Sequence, residues 1–497
     1  MNTKLLKQKI LDLAIRGKLT QQLKNDGTAA DLLKEIVDAK SALSQPKGKK
    51  SKRFVPISRI YCENGVWFEQ LENAKPKDIS EEIPFEIPEN WTWCRLECVC
   101  FDIADIDHKM PAVCDNGIPY ISPLNFVANN KIDFAGAKKI SKEDFLQLSK
   151  KCKPERGDII FPRYGTIGVI RTVETDIDFL VSYSCATIKP CKNHMDARYV
   201  SALLQSPLIQ EIEIPRYINK TTQANVGLQS IKKFLFALPP LAEQQRIVEK
   251  IQDAFAEIDA IEKNKELLKT HIKQTRQKIL DLAIHGKLVP QNKSDEPASV
   301  LLERITRDNP HYEKLEFDEF PFDIPENWCW CRLGVVFTHT TGKALKKSDS
   351  NGILKKYITT SNLYWNSFDF SEIRSMYFNE DELKKCTAKK GDLLICNGGD
   401  VGRAAIWNFD YDICFQNHIS RLRPRGTGID NSFYLYVIKY NKDKGNLNGK
   451  GVGITSLSAN DLLSLVIPLP PFAEQGRIVS KIEELFSTLD QMERNLV

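Results

Sequence analysis

The sequence predicts an α+β protein: two strand-rich globular domains separated by a pair of long antiparallel coiled-coil helices, arranged as a pseudo-two-fold internal repeat. Three observations carry this expectation. The long blocks of the chain recur once each; the stretch from Leu241 to His285 lacks Pro and Gly and is rich in Glu, Gln, Lys, Ile and Leu; and residues 84–238 and 321–469 hold short β-like runs broken by Gly, Asn, Asp and Pro. In chain order, residues 1–45 read as the amino-terminal half of a split helical region and 46–83 as a linker. Residues 84–238 form the first globular domain, 239–305 the central helical region, and 306–320 a second linker. Residues 321–469 form the second globular domain and 470–497 the carboxy-terminal half of the split helical region.

The repeat fixes this order. KQKILDLAIRGKL at 7–19 returns as RQKILDLAIHGKL at 276–288, and PFEIPENWTWCRL at 84–96 returns as PFDIPENWCWCRL at 321–333. RGDIIFPRYGTIGVI (156–170) aligns with KGDLLICNGGDVGRA (390–404), and LPPLAEQQRIVEKI (238–251) with LPPFAEQGRIVSKI (469–482). The complete long segment occurs once, in the middle; its first half recurs alone at the carboxy terminus and its second half alone at the amino terminus. A two-copy unit cut within its long segment expects the chain termini to meet in space. The first copy carries an additional segment near residues 46–60, to which the sequence assigns no role.

The long segment would span roughly 65–70 Å as a helix. Its core positions step 4-3 through Ile247, Ile251, Ala254, Ile258, Ile261, Lys265, Leu268, Ile272, Thr275, Ile279 and Leu282. The rhythm returns at Ile478, Ile482, Leu485, Leu489, Met492 and Leu496, and at Leu6, Ile10 and Leu13. A sustained 3.5-residue period predicts a left-handed coiled-coil seam, with Lys265 and Thr275 as polar register markers. The alternative is a helix packed on its own globular domain.

Composition excludes several classes. The 497 residues are 42% hydrophobic and 27% charged, which excludes a disordered chain, and no window approaches the roughly 18 consecutive apolar residues of a membrane span. The start alternates Lys with apolar residues, unlike a secretory signal. A net charge of +5 is too small to identify a nucleic-acid binder by itself. Thirteen cysteines, an odd number with no export signal, read as reduced cytosolic thiols. Cys94, Cys98 and Cys100 with His108, and Cys329 and Cys331 with His339, lack zinc spacing and read as core and strand residues.

The globular domains share Trp91/Trp93 and Trp328/Trp330, read as core anchors, and a Gly-Asp-(Ile/Leu)-(Ile/Leu) frame at 157–160 and 391–394. Just beyond it they diverge, Phe-Pro-Arg-Tyr-Gly-Thr (161–166) against Ile-Cys-Asn-Gly-Gly-Asp (395–400), as two readers of different surfaces would. Candidate DNA contacts in the first domain are His108, Lys109, Arg163, Tyr164, Thr166, Arg216, Asn219, Lys220, Thr221 and Gln223. In the second they are Lys343, Lys346, Asn397, Asp400, Arg403, Gln416, Asn417, His418 and Lys450. Lys and Arg anchor phosphates, and Arg, Asn and Gln make bidentate contacts to G or A. For each of these residues a solvated surface polar group is the competing reading. The basic run 47–53 reads as linker with non-specific phosphate contact as its alternative.

Catalytic signatures are missing. Gly449-Lys450-Gly451-Val452-Gly453 fits neither GxxxxGK[ST] nor a strand-then-helix GxGxxG, and Asp308-Asn309-Pro310-His311 lacks the second Pro of an amino-methyltransferase motif. GxSxG and HExxH do not occur either, so no catalytic residue, metal site or cofactor site is expected in this chain.

Taken together, the Leu-Pro-Pro-(Leu/Phe)-Ala-Glu-Gln-x-Arg-Ile-Val blocks, Gln-Lys-Ile-Leu-Asp-Leu-Ala-Ile-x-Gly-Lys-Leu and Ile-Pro-Glu-Asn-Trp-x-Trp-Cys-Arg-Leu resemble the specificity subunits of type I restriction–modification enzymes. The resemblance covers essentially the whole chain, and Asp107-His108-Lys109-Met110-Pro111 looks like a sequence of such target recognition domains. It implies a cytoplasmic, non-catalytic DNA-binding subunit whose two domains each read half of a bipartite target in double-stranded DNA. The helices would act as ruler and as docking surface for two modification subunits. S-adenosylmethionine, ATP and Mg would be bound by the modification and restriction partners rather than here. Two other classes compete: a coiled-coil scaffold with protein-binding domains and no DNA role, and a stand-alone methyltransferase.

Overall fold

The computed structural model describes residues 2–43, 58–71, 74–106, 110–128, 130–218, 224–307, 313–345, 352–447 and 456–496. They fall into two compact units, residues 1–263 and 264–497.

In the first unit the helix Thr3–Ile15 starts on Asn2, whose side chain accepts the Leu5 N–H, and stops at Gly17 with φ +66°. A Cβ at Gly17 would lie 2.3 Å from Pro88, so this turn must be glycine both for its backbone and to seat the Ile-Pro-Glu-Asn-Trp segment. Gly286 repeats the arrangement in the second unit, at φ +68° and 2.4 Å from Pro325. Two blocks that recur in the sequence thus recur because they pack on one another.

Each globular domain is closed by a buried strand pair, Thr92–Arg95 with Leu235–Leu238 in the first and Cys329–Arg332 with Val466–Leu469 in the second. The main sheet of the first orders Arg171–Thr172, Ile159–Pro162, Cys185–Pro190 and Cys100–Ala104. The second repeats it with Ala404–Ile406, Leu393–Cys396, Ile419–Pro424 and Phe337–Thr341. All neighbours in these sheets are antiparallel. Beside each lies a mixed four-stranded sheet with one parallel pair, Ile118–Ile121 with Leu180–Val181 and Ile353–Ile358 with Ile413–Phe415. Trp91, Trp93, Trp328 and Trp330 are buried, as core anchors should be.

Residues 59–78, placed within a linker by the sequence reading, instead carry a three-stranded antiparallel meander, Arg59–Glu63, Val66–Gln70 and Lys77–Asp78. Asn64 and Gly65 both take positive φ, the two-residue hairpin turn that Asn-Gly favours. Ile60 joins the core, and Arg95 grips the second strand through both oxygens of Glu69 (2.6 and 3.0 Å) while also bonding Glu82. In the second copy Arg332 bonds Glu319 and the Ser464 carbonyl.

The long helix is Leu241–Ile284, 44 residues and about 66 Å. In the first unit Thr3 bonds Glu262, Lys7 pairs with Asp259 at 2.5 Å and Thr20 bonds Glu243, so Thr3–Ile15 and the segment beyond it run antiparallel to it. In the second unit Arg276 pairs with Glu493 at 3.0 Å and Asp295 with Arg477 at 2.5 Å, so Phe472–Arg494 is antiparallel as well.

The seam is buried only where something covers it. Ile247, Ile251, Ile258, Ile272, Ile279, Ile478, Ile482 and Leu489 are buried, and Ile10, Leu13, Leu282 and Leu485 are half-buried. Leu6, Ile261 and Leu268 are exposed, at 38%, 47% and 40%. Ile247 and Ile251 pack into the first domain's core, and Ile272 and Ile279 into that of the second. Helix-on-domain packing therefore holds beside helix-on-helix pairing, and the heptad rhythm overstates the seam near its middle.

All thirteen cysteines are free thiols, and among the described residues no group of three or more His, Cys, Asp or Glu is placed to hold a metal. Burial pushes the Cys98 thiol up to about 11 and raises Cys94 and Cys100 as well. No helix of the described residues is long and apolar enough to cross a membrane.

Candidate nucleic-acid interface

In the first domain the buried strand Ile159–Pro162 delivers Arg163 and Tyr164 to the end of the main sheet. Arg163 is only 5% exposed. Its guanidinium donates to Asp105 at 2.5 Å and to the Tyr183 carbonyl at 3.0 Å, and lies 5.3 Å from the Tyr164 ring. Tyr164 bridges to Asn225 and meets Tyr183 edge-on. Thr166 is exposed beyond the left-handed Gly165. Four chain segments therefore converge here, those around Asp105, Arg163, Tyr183 and Asn225.

Arg163, a DNA-contact candidate from the sequence, is a buried cation that holds this convergence together. Breaking a buried pair leaves the other charge without compensation. Arg163→Ala is expected to cost the first unit about 3–5 kcal/mol in urea unfolding, with Arg163→Lys recovering only part.

Arg216 is exposed at the end of a short helix and pairs with Glu213, a fully buried carboxylate that also accepts the Leu235 N–H at 2.9 Å. Burial raises the pKa of Glu213 against these partners. His108, Lys109, Asn219, Lys220, Thr221 and Gln223 lie outside the described residues, as do Lys346 and Lys450 in the second domain.

In the second domain the buried strand Leu393–Cys396 delivers Asn397, whose amide donates to the Asn417 carbonyl (3.2 Å) and Ser420 hydroxyl (3.0 Å). Asp400 is exposed, pairs with Lys442 and lies 3.7 Å from Arg403. Arg403 is tied to the Thr360 carbonyl and sits over Tyr364. Lys343, only 8% exposed, donates to the Tyr377 carbonyl at 2.7 Å and Glu382 at 2.8 Å, bracing two segments of the domain. Gln416 and Asn417 are half-buried, bonding Ile358 and Lys343 through their backbones, and His418 is exposed.

The two ends of these sheets share one backbone pattern. The Arg163 N–H donates to Ser184 O and its carbonyl accepts from Val226; the Asn397 N–H donates to His418 O and its carbonyl accepts from Leu457. The frame bonds are main-chain bonds, so different side chains sit on one geometry: Tyr164, Gly165 and Thr166 in one copy, Gly398, Gly399 and Asp400 in the other.

A second duplicated arrangement was not read from the sequence. Glu243 is fully buried and accepts from Trp91 Nε1 (2.8 Å), Gln22 (2.9 Å) and Thr20 (3.1 Å). Gln244 accepts the Asp196 N–H, and Arg246 pairs with Asp26. Glu474 accepts from Trp328 Nε1 (3.0 Å) and Gln291 (2.5 Å), Gln475 accepts the Asp430 N–H, and Arg477 pairs with Asp295. The signal was present: Ala-Glu-Gln-x-Arg is identical in both copies at positions outside the hydrophobic seam.

The model of the type I restriction modification DNA specificity domain matches twice, at residues 89–270 and 325–496. The chain belongs to this family. A type I restriction enzyme specificity subunit of Escherichia coli, EcoAI, is 23% identical over 98% of this chain and 90% of its own length. The EcoEI specificity subunit of the same species is 24% identical over 99% and 90%. A putative type I specificity subunit of Methanocaldococcus jannaschii, MjaX, is 25% identical over 84% and 91%. Among solved structures, the HsdS subunit from Thermoanaerobacter tengcongensis has the same fold, with a TM-score of 0.51 and 20% identity over 83% of this chain and 93% of that one. A chain from a structure describing assembly and conformational transition of a type I R-M system gives a TM-score of 0.54 at 21% identity, over 83% and 94%. The two matched domains of this chain are built on one frame.

Proposed function

We propose that this specificity subunit directs a type I restriction–modification complex to a bipartite DNA sequence, each domain reading one half. The observation that carries this is the shared backbone frame holding different exposed side chains at equivalent strand ends. One frame presenting two chemistries suits two dissimilar half-sites better than it suits one symmetric target. The long helix, about 66 Å, is comparable to two turns of duplex at about 34 Å each, and acts as the ruler over unread base pairs. Two modification subunits dock on the helices, and restriction subunits join them.

The chain itself performs no bond-making step. Modification partners bring S-adenosylmethionine and methylate adenine, and the restriction subunits bring ATP and Mg. Assembly takes place in the cytoplasm, where the DNA is. Affinity falls steeply with salt, because phosphate contacts supply much of it.

The test is co-expression with the cognate modification subunit, followed by mapping of methylated bases across the host genome. One asymmetric two-part motif, absent without this chain, is the expected result. Methylation independent of this chain, or scattered without a motif, would sink the proposal and favour a scaffold.

A further inference from the structure

Beside the strand ends of the candidate interface lies a second duplicated turn, bonded the same way in both domains. In the first, the Ser122 N–H and hydroxyl donate to Asn125 Oδ1 at 3.0 and 3.2 Å. In the second, the Thr359 N–H and hydroxyl donate to Asn362 Oδ1 at 2.9 and 3.1 Å. The Asn125 N–H returns to the Ser122 carbonyl at 2.9 Å, and the Asn362 N–H to that of Thr359 at 3.0 Å. The carbonyls of the two asparagines accept from the N–H groups of Asp133 and Asp369. Each turn is pinned by its own asparagine, which fixes where the tip residue stands.

One three-residue segment joins this turn to the strand end in each domain. The Ile121 carbonyl accepts the Ser182 N–H at 2.7 Å, and two residues on the Ser184 carbonyl accepts the Arg163 N–H at 2.8 Å. In the second domain the Gln416 N–H donates to Ile358 and the His418 carbonyl accepts from Asn397, both at 3.0 Å. An arginine adds a side-chain tie in each copy, from a different position. Arg171 donates to the carbonyls of Val127 (2.7 Å) and Lys131 (3.2 Å), and Arg403 to that of Thr360.

What this frame presents differs between the copies. Leu124, at the tip in the first domain, is 94% exposed. Val127 and Val169, on the two segments that Arg171 joins, are exposed as well. The equivalent positions of the second domain hold Ser361, Tyr364 and Arg403. Scattered apolar side chains are ordinary on a surface. Here they gather on one braced turn, and hydrogen-bonding side chains replace them on the same backbone. In the major groove, apolar side chains meet the C5-methyl group of thymine, whereas hydroxyl and guanidinium groups address the polar base edges.

We propose that the turn at Leu124 is a second reading element of the first domain, with Leu124 packing on the C5-methyl group of a thymine in its half-site. The same turn of the second domain offers the Ser361 hydroxyl to a base edge. The proposal rests on the DNA-specificity reading above and adds to it an A·T pair beneath this turn in the first half-site.

The test uses the full chain assembled with its modification partner, and target duplexes in which each thymine of the first half-site is replaced singly by uracil. Uracil keeps the base-pairing atoms of thymine and lacks only the methyl group. In the wild-type complex one replacement should weaken binding about fourfold, the effect of losing one buried carbon group. In Leu124→Ala, a change at an exposed side chain, that same replacement should have no further effect. Replacements that are all neutral in the wild type, or that cost as much in Leu124→Ala, overturn the methyl contact. So does a first half-site without an A·T pair. Ser361→Ala should alter the preference at one base pair of the second half and none of the first, and an unchanged motif overturns the reading role of that turn. A wild-type complex that holds unrelated duplex as tightly as target defeats the specificity reading itself, and the methyl contact with it.

Discussion

Glu243→Ala is expected to loosen the first unit by about 3 kcal/mol while leaving the second intact. The substitution removes a fully buried acceptor from three donors, on Trp91, Gln22 and Thr20. A buried indole N–H without a partner keeps its full desolvation cost, and the chain segment after Thr3–Ile15 loses its tie to the start of the long helix. Hydrogen exchange checks this locally. Amides of Thr92–Arg95 and Leu235–Leu238 should lose protection, whereas those of Cys329–Arg332 and Val466–Leu469 keep theirs. Glu243→Gln, which preserves one acceptor, should show a smaller loss. The mirror substitution Glu474→Ala should reverse the pattern, and equal loss in both units from either variant would contradict the independence of the two joints.

Exchanging residues 84–238 for the matching domain of another family member is expected to change one half of the methylated sequence and keep the other. Those limits hold both strands of the closing pair in the exchanged piece, because Thr92–Arg95 bonds Leu235–Leu238. They leave Glu243, Gln244 and Arg246 in place to receive the new domain. Since each wrong base pair costs about 1–3 kcal/mol, the chimera's affinity for the original target should drop by about 5- to 150-fold for each base pair that no longer matches. Genome-wide methylation mapping reads the outcome, and alteration of both halves would refute modular recognition.

The repeat and the long helix were legible because each is written in local sequence. A run without Pro or Gly, with helix-forming composition, can do little else, and Leu241–Ile284 matches it. Exposed Leu6, Ile261 and Leu268 show the limit of periodicity, which gives the direction of a side chain and not whether anything lies opposite. The meander at 59–78 stands behind a basic run that suggested a linker, although Asn64-Gly65 was a hairpin signal in plain view. At the interface, residue type alone marked Arg163 and Lys343 as candidate contacts. Their partners within the fold, Asp105 and Glu382, lie 58 and 39 residues away along the chain, beyond any local pattern. The Trp91–Glu243 bond closes over 152 residues and was hidden for the same reason.

The main-chain bonds at Arg163 and Asn397 carry a consequence for how such a protein changes over time. A bond between peptide groups is indifferent to the side chain it carries, so residues at the exposed turns can be replaced with little penalty to folding. Substitutions in most proteins draw on a thin margin of stability. Here the positions facing outward from Thr166 or Asp400 are largely separated from that margin. New targets are therefore within reach of a few surface substitutions, and a population can diversify what it recognises while inheriting the same folded body.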